Sequence, residues 1–169
     1  AQMEFLRSLI TKRSPSDRVV PFEIDTTFKR SHGIVGFKSR LNAIGKEAIE
    51  AVKNGYTIII LSDRNSDYDS PGIPSLLGLR RVVNALNDEG LKLNASVVID
   101  SGEVKSTHHA SALIGFGAQA VCPFLALDIA RNDEHRSLKD LDADIKERNL
   151  LKAFDTGLLK IMAKSGISV

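Results

Sequence analysis

ASVVIDSGEVKSTHHASALIGFGAQAVCPF, residues 95–124, is the stretch whose reading decides the fold. ASVVID (95–100) is apolar without alternation and ends on an acid. SGEVKST (101–107) is a polar turn. A helical period follows, with Ala110, Leu113 and Ile114 expected to face inward, and AQAVCPF (118–124) returns to apolar residues. A continuous apolar strand, a helix and a second apolar strand make a βαβ unit, because strands buried on both faces belong to a parallel sheet with its crossovers packed against it.

The pattern repeats outward from this unit. YTIIIL (56–61) is β-branched and lies between Gly55 and polar Ser62-Asp63-Arg64, while RVVPFEI (18–24) holds Pro21 and therefore suits an edge or a strand start. Between the strands, SRLNAIGKEAIEAVKNG (39–55) places Leu41, Ile44, Ala48, Ile49 and Val52 three or four residues apart, with Gly55 as a C-terminal cap. PSLLGLRRVVNALNDEG (74–90) starts a helix at Pro74 and carries the stripe Leu76, Leu79, Val83, Leu86. The tail, 138–164, reads as one or two helices with Leu150, Leu151, Phe154, Leu158 and Met162 in period. The expected fold is α/β: a partial, half TIM-barrel-like parallel sheet of about four βα units flanked by helices. A full barrel takes about 250 residues, more than the 169 present.

Composition bounds the function. The 169 residues are 43% hydrophobic and 26% charged, the profile of a single folded domain. Net charge is +2, there is no tryptophan and no basic stripe with interleaved aromatics, so nucleic acid is excluded as a partner. No apolar run approaches the roughly 20 residues of a membrane span and no signal peptide opens the chain, which reads as cytosolic. One cysteine, Cys122, excludes an internal disulfide, and its place in an apolar strand points to an inert buried thiol. Ala1 and Gln2 ahead of Met3 read as a leader of vector origin. The apolar end of LLKIMAKSGISV (158–169) reads as a chain whose next segment is supplied elsewhere.

In such folds chemistry gathers in loops after the carboxyl ends of strands. Those loops are SDRNSDYDSPGIP (62–74), SGEVKST (101–107) and PFLALDIARND (123–133). The first holds Asp63, Arg64, Asp67 and Asp69, a carboxylate cluster that either binds a cation or is a hydrated turn. No calcium spacing rule is met, so the turn is preferred, with Asp63 paired to Arg64 or capping backbone. His108 and His109 point about 100° apart on a helix and so form no two-ligand metal face. A structural role is the expectation for them, with an imidazole bonded to a carbonyl or to Glu103.

The second loop resembles the phosphate-binding turn of flavin-dependent TIM-barrel oxidoreductases, Asp-Gly-Gly-Ile-Arg followed by a helix ending Leu-Gly-Ala-x-Ala-Val. Ser101 stands in the Asp place, Gly102 matches, Glu103 replaces the second glycine and Lys105 the arginine, and Gly117, Ala118, Ala120 and Val121 match the far end. A helix N-terminus attracts phosphate, whereas a carboxylate at Glu103 repels it. Cys122-Pro123 stands where a second phosphate element, Gly-Arg, would be, so the turn reads as a degenerate site with no cofactor bound.

ILSDR (60–64), IPSLLGL (73–79), SGE (101–103) with His108-His109, LIGFGAQAVCPFLAL (113–127) and KAFDTGLLKIMAKSGIS (152–168) together resemble the central domain of the glutamate synthase large subunit. The resemblance covers about 38–168, leaves 1–37 poorly matched, and makes residues 1–169 one domain equivalent to the C-terminal half of that central domain. The resemblance implies a non-catalytic scaffold that couples the glutaminase and FMN-dependent parts in glutamate biosynthesis. FMN and iron–sulfur clusters would then lie in partner domains. Expected partners are FMN-domain and glutaminase subunits, or a second copy, met through the 148–164 helix, whose Phe154, Leu158 and Met162 belong to an apolar face wider than one core stripe needs, and through a sheet edge. The competing reading is a small independent phosphate- or flavin-binding oxidoreductase of TIM-barrel type.

Overall fold

The computed structural model describes residues 19–135 and 137–167. Arg18, the first residue of the expected first strand, lies outside them, as do Ala1, Gln2, Met3 and the last two residues. Four parallel strands, β1 (Pro21–Asp25), β2 (Ile58–Ser62), β3 (Ser96–Asp100) and β4 (Ala120–Cys122), form one sheet in the order β1-β2-β3-β4. Each strand adds to the edge left by the one before it, the order of consecutive units in a barrel that stops halfway. Ile59 pairs with Val97 and Ile60 with Val98, so the segments expected to be neighbours are neighbours. Pro21 opens β1, an edge strand, where its missing N–H costs the ladder little.

The helices are α1 (Gly33–Lys53), α2 (Ser75–Asp88), α3 (Thr107–Gly115), α4 (Phe124–Arg131) and α5 (Ala143–Lys164). One face of the sheet, with Ile24, Ile59, Leu61, Val97 and Ile99, packs with Ile44, Ala48 and Val52 of α1, Leu79, Val83 and Leu86 of α2, and Leu113 of α3. Ile60 and Val98 project from the opposite face by strand alternation and are buried as well. Gly55, at φ +84°, ends α1 in the left-handed conformation that glycine adopts without strain.

Three expectations change. α1 begins at Gly33, six residues ahead of Ser39, because a short 3-10 turn at Arg30–His32 leads directly into it. Residues 124–131 are helical rather than loop, since Pro123 takes the N-cap place and its carbonyl accepts the Leu127 N–H at 3.0 Å, which closes the first turn. Ile114 is exposed, whereas Ala110 and Leu113 are buried, because Ile114 sits about 100° round the helix from Leu113, away from the face that Ala110 and Leu113 share.

Candidate functional site

Register delivers Asp25, Ser62, Asp100 and Cys122 to one row across the carboxyl ends of the four strands. Asp100 is fully buried and receives Arg64 in a two-pronged ion pair: Nε donates to Oδ2 at 2.7 Å and Nη2 to Oδ1 at 3.1 Å. Such a fork matches the planar guanidinium to both carboxylate oxygens and costs little further ordering. Phe124, the first residue of α4, lies under the guanidinium, 4.2 Å from ring centre to carbon, and Ser62 Oγ stands 3.3 Å from Asp100 Oδ2. Asp100 and Phe124 were reachable from sequence: an acid ending a buried strand wants a cation, and an aromatic after the next strand is placed to cover it.

Asp63 does not pair with Arg64, because successive residues leaving a strand point to opposite sides. It crosses to the next loop instead. Ser101 Oγ donates to its Oδ2 at 2.5 Å and the Gly102 N–H to its Oδ1 at 2.9 Å. Burial pushes the Asp63 carboxyl above its ordinary range; the Ser101 and Gly102 bonds pull it back in part, and the charges of Glu103 and Asp100 push it further up. Burial also raises the Cys122 thiol, to about 12, with the charge and hydrogen bond of Asp100 adding to it, so the sulfur stays protonated at neutral pH. At β1, Asp25 is held below its ordinary range despite burial, because Asn65, Thr27 and Arg40 together outweigh desolvation.

The remaining loop residues are engaged locally. Asp67 Oδ1 accepts the N–H groups of Asp69 and Ser70, at 2.9 and 2.6 Å, which shapes a turn. Among the described residues no group of three or more His, Cys, Asp or Glu side chains is arranged to hold a metal. Glu103 does not sit over the turn of its own helix. Its Oε2 accepts the N–H of Ser75, the first residue of α2, at 2.7 Å, where a carboxylate meets the positive end of a helix. His109 Nδ1 lies 3.1 Å from the Glu103 carbonyl oxygen and 3.3 Å from the Lys105 nitrogen, and so spans the turn that begins α3. Ser106, unremarked in the sequence although serine ahead of a helix is an N-cap signal, caps α3 by accepting the His109 N–H. His108 and the Lys105 side chain face solvent. Pro74, Leu76, Glu103, Val104, His109 and Leu113 line an open groove of about 360 Å³ between α2 and α3.

The α5 candidates lie apart from these loops. Phe154 is buried in the core, Leu158 packs at its margin, Met162 is half-buried, and Leu151 and Leu159 are exposed. The loop constellation is therefore a set of acids and bases satisfied by one another and by backbone. No helix of the described residues is long and apolar enough to cross a membrane.

Comparison with known proteins points to one source for this arrangement. The profile of the glutamate synthase central domain matches residues 1–169. A ferredoxin-dependent glutamate synthase of Pyropia yezoensis is 37% identical over 158 residues, covering 86% of this chain and 10% of its own. The chloroplastic ferredoxin-dependent glutamate synthase 2 of Arabidopsis thaliana is 36% identical over 159 residues, again 86% of this chain and 10% of its own. The NADH glutamate synthase of Schizosaccharomyces pombe is 34% identical over 158 residues, 90% of this chain and 8% of its own. The chain thus spans about a tenth of the length of these relatives.

Proposed function

Because this chain belongs to the glutamate synthase central domain family, we propose that it is a linking part of a glutamate synthase without catalytic residues of its own, holding glutaminase and FMN-dependent parts in place for glutamate formation. The observation that carries this reading is the state of the strand-end loops. Asp63 and Asp100, the buried acids a reaction would draw on, are each engaged at both carboxylate oxygens, and Arg64 is forked onto Asp100. A general acid or base must keep a hydrogen-bonding position open to its substrate. The partners on this reading are the glutaminase and FMN-domain polypeptides, and flavin and iron–sulfur chemistry belongs to them.

The test is reconstitution. The polypeptides that flank the matched segment in the Pyropia yezoensis enzyme, expressed without it, are mixed with this chain. Co-elution in gel filtration is the expected result, and a chain that elutes alone from both polypeptides contradicts the linking role.

The groove beside Glu103 and His109 favours a second reading, a small independent phosphate- or flavin-binding oxidoreductase, since pockets of a few hundred Å³ at such loops hold ligands. Glu103 Oε2 and His109 Nδ1 are already engaged there, however, and both residues are exposed to solvent.

A further inference from the structure

Exposed apolar side chains lie where β1 leads into α1. Ile34 and Val35, in the first turn of α1, are 65% and 74% exposed, and Tyr68, in the loop after β2, is 77% exposed. The two segments are joined: the Arg30 N–H donates to the Asp69 carbonyl at 2.8 Å, and the Arg30 guanidinium stacks 4.2 Å above the Tyr68 ring. That stack holds two long side chains in place before any partner arrives, which lowers the entropy cost of docking. Arginine and tyrosine are also the side chains that carry most binding energy at protein interfaces.

The charge around this patch has one sign on the α1 side. Residues 26–46 contain no acid, while Lys29, Arg30 and Lys38 are all exposed there. α1 has neither a side-chain N-cap nor an acidic residue in its first turn, so the positive end of a 21-residue helix adds to the field. Two carboxylates, Asp67 and Asp69, flank Tyr68. Asp67 is engaged by the two backbone N–H groups of its own turn, which leaves Asp69 as the acid at the rim.

Resting on the linking role above, we propose that Arg30, Ile34, Val35 and Tyr68 form a docking surface for an acidic segment with an apolar anchor, supplied by the flanking glutamate synthase polypeptide. About nine-tenths of the length of the relatives lies outside the part this chain matches, so a covering surface of that size is at hand. The partner's carboxylate meets the start of α1 and its apolar side chain covers Ile34 and Val35. The surface lies at the carboxyl end of the sheet, after β1 and β2.

Hydrogen exchange tests this with the chain alone and with the flanking Pyropia yezoensis polypeptides. The expected result is slowed exchange of amides 29–38 in the mixture, with binding weakened at least tenfold by Val35→Asp and weakened further as salt rises. An acid in the first turn suits the helix end, so Val35→Asp does not lower the melting temperature of the chain alone and reports docking rather than folding. Complex formation with unchanged exchange at 29–38 and full affinity of Val35→Asp overturns this surface while the linking role stands. Failure of the chain to bind either polypeptide overturns both.

Discussion

Arg64 and Asp100 make one ion pair, yet losing either has unequal consequences. Asp100 is fully buried and its partner is more than a third exposed. Arg64→Met leaves a carboxylate in the interior without its cation, at a cost of about 3–5 kcal/mol. Asp100→Asn leaves a guanidinium that can turn towards water, and costs about 1–2 kcal/mol. Urea unfolding of the two variants checks this; equal losses would contradict the asymmetry. Asp63 gives a pH dependence of opposite sense to that of an ordinary ion-paired acid. Its folded-state pKa is raised, first by burial, above the ordinary 3.8, so the folded chain holds this proton more tightly than the unfolded one. The contribution to stability is full below 3.8 and is lost as pH rises through the folded value. Asp63→Asn lacks that slope. The stability difference, wild type minus Asp63→Asn, is therefore expected to fall as pH rises from 3.8, and a flat difference in urea titrations would contradict it.

Between elements, α5 approaches the start of α3 closely at a glycine. A methyl group added at Gly157 would stand 2.7 Å from Thr107 Cγ2 and 2.8 Å from its Oγ1. Gly157→Ala therefore either pushes α5 outward or forces the Thr107 rotamer, at about 1–3 kcal/mol. Thr107→Ala removes both obstructing atoms, so the double variant should recover most of that loss in a thermal-unfolding cycle. Additive losses would mean the two helices do not meet there. α4 shows why some elements elude a reading of period: FLALDIAR is only eight residues long, and although 124/127 and 125/129 are spaced as on a helix, its apolar residues at 124–127, 129 and 130 run nearly unbroken on from the strand before it. Its helicity follows from Pro123 at its start and from packing against α5.

For the whole molecule, the strand-end loops close on one another instead of around a ligand, which sets an expectation for flavin. The purified chain is expected to be colourless, and micromolar FMN should keep its fluorescence when titrated with it. Glu103→Gly removes the carboxylate from the N-terminus of α2. It should raise sulfate or phosphate affinity by about 1 kcal/mol, the size of one helix-end attraction. Calorimetry with inorganic phosphate reads that change, and tight flavin binding by the unmodified chain would restore the oxidoreductase reading.

Strand identity, parallel pairing and the order of the βα units were legible in the sequence, because a strand buried on both faces must be continuously apolar, as in YTIIIL and ASVVID. The family was legible as well, since its motifs are contiguous runs in a set order. The partners of the polar residues were not. Arg64 meets Asp100, 36 residues away, and Glu103 meets Ser75, 28 residues away. Such pairings depend on strand register and on the direction a side chain takes as it leaves a strand, and a one-residue shift would send each to the opposite face. Local propensity therefore determined the elements, and only the assembled sheet decided which charge met which.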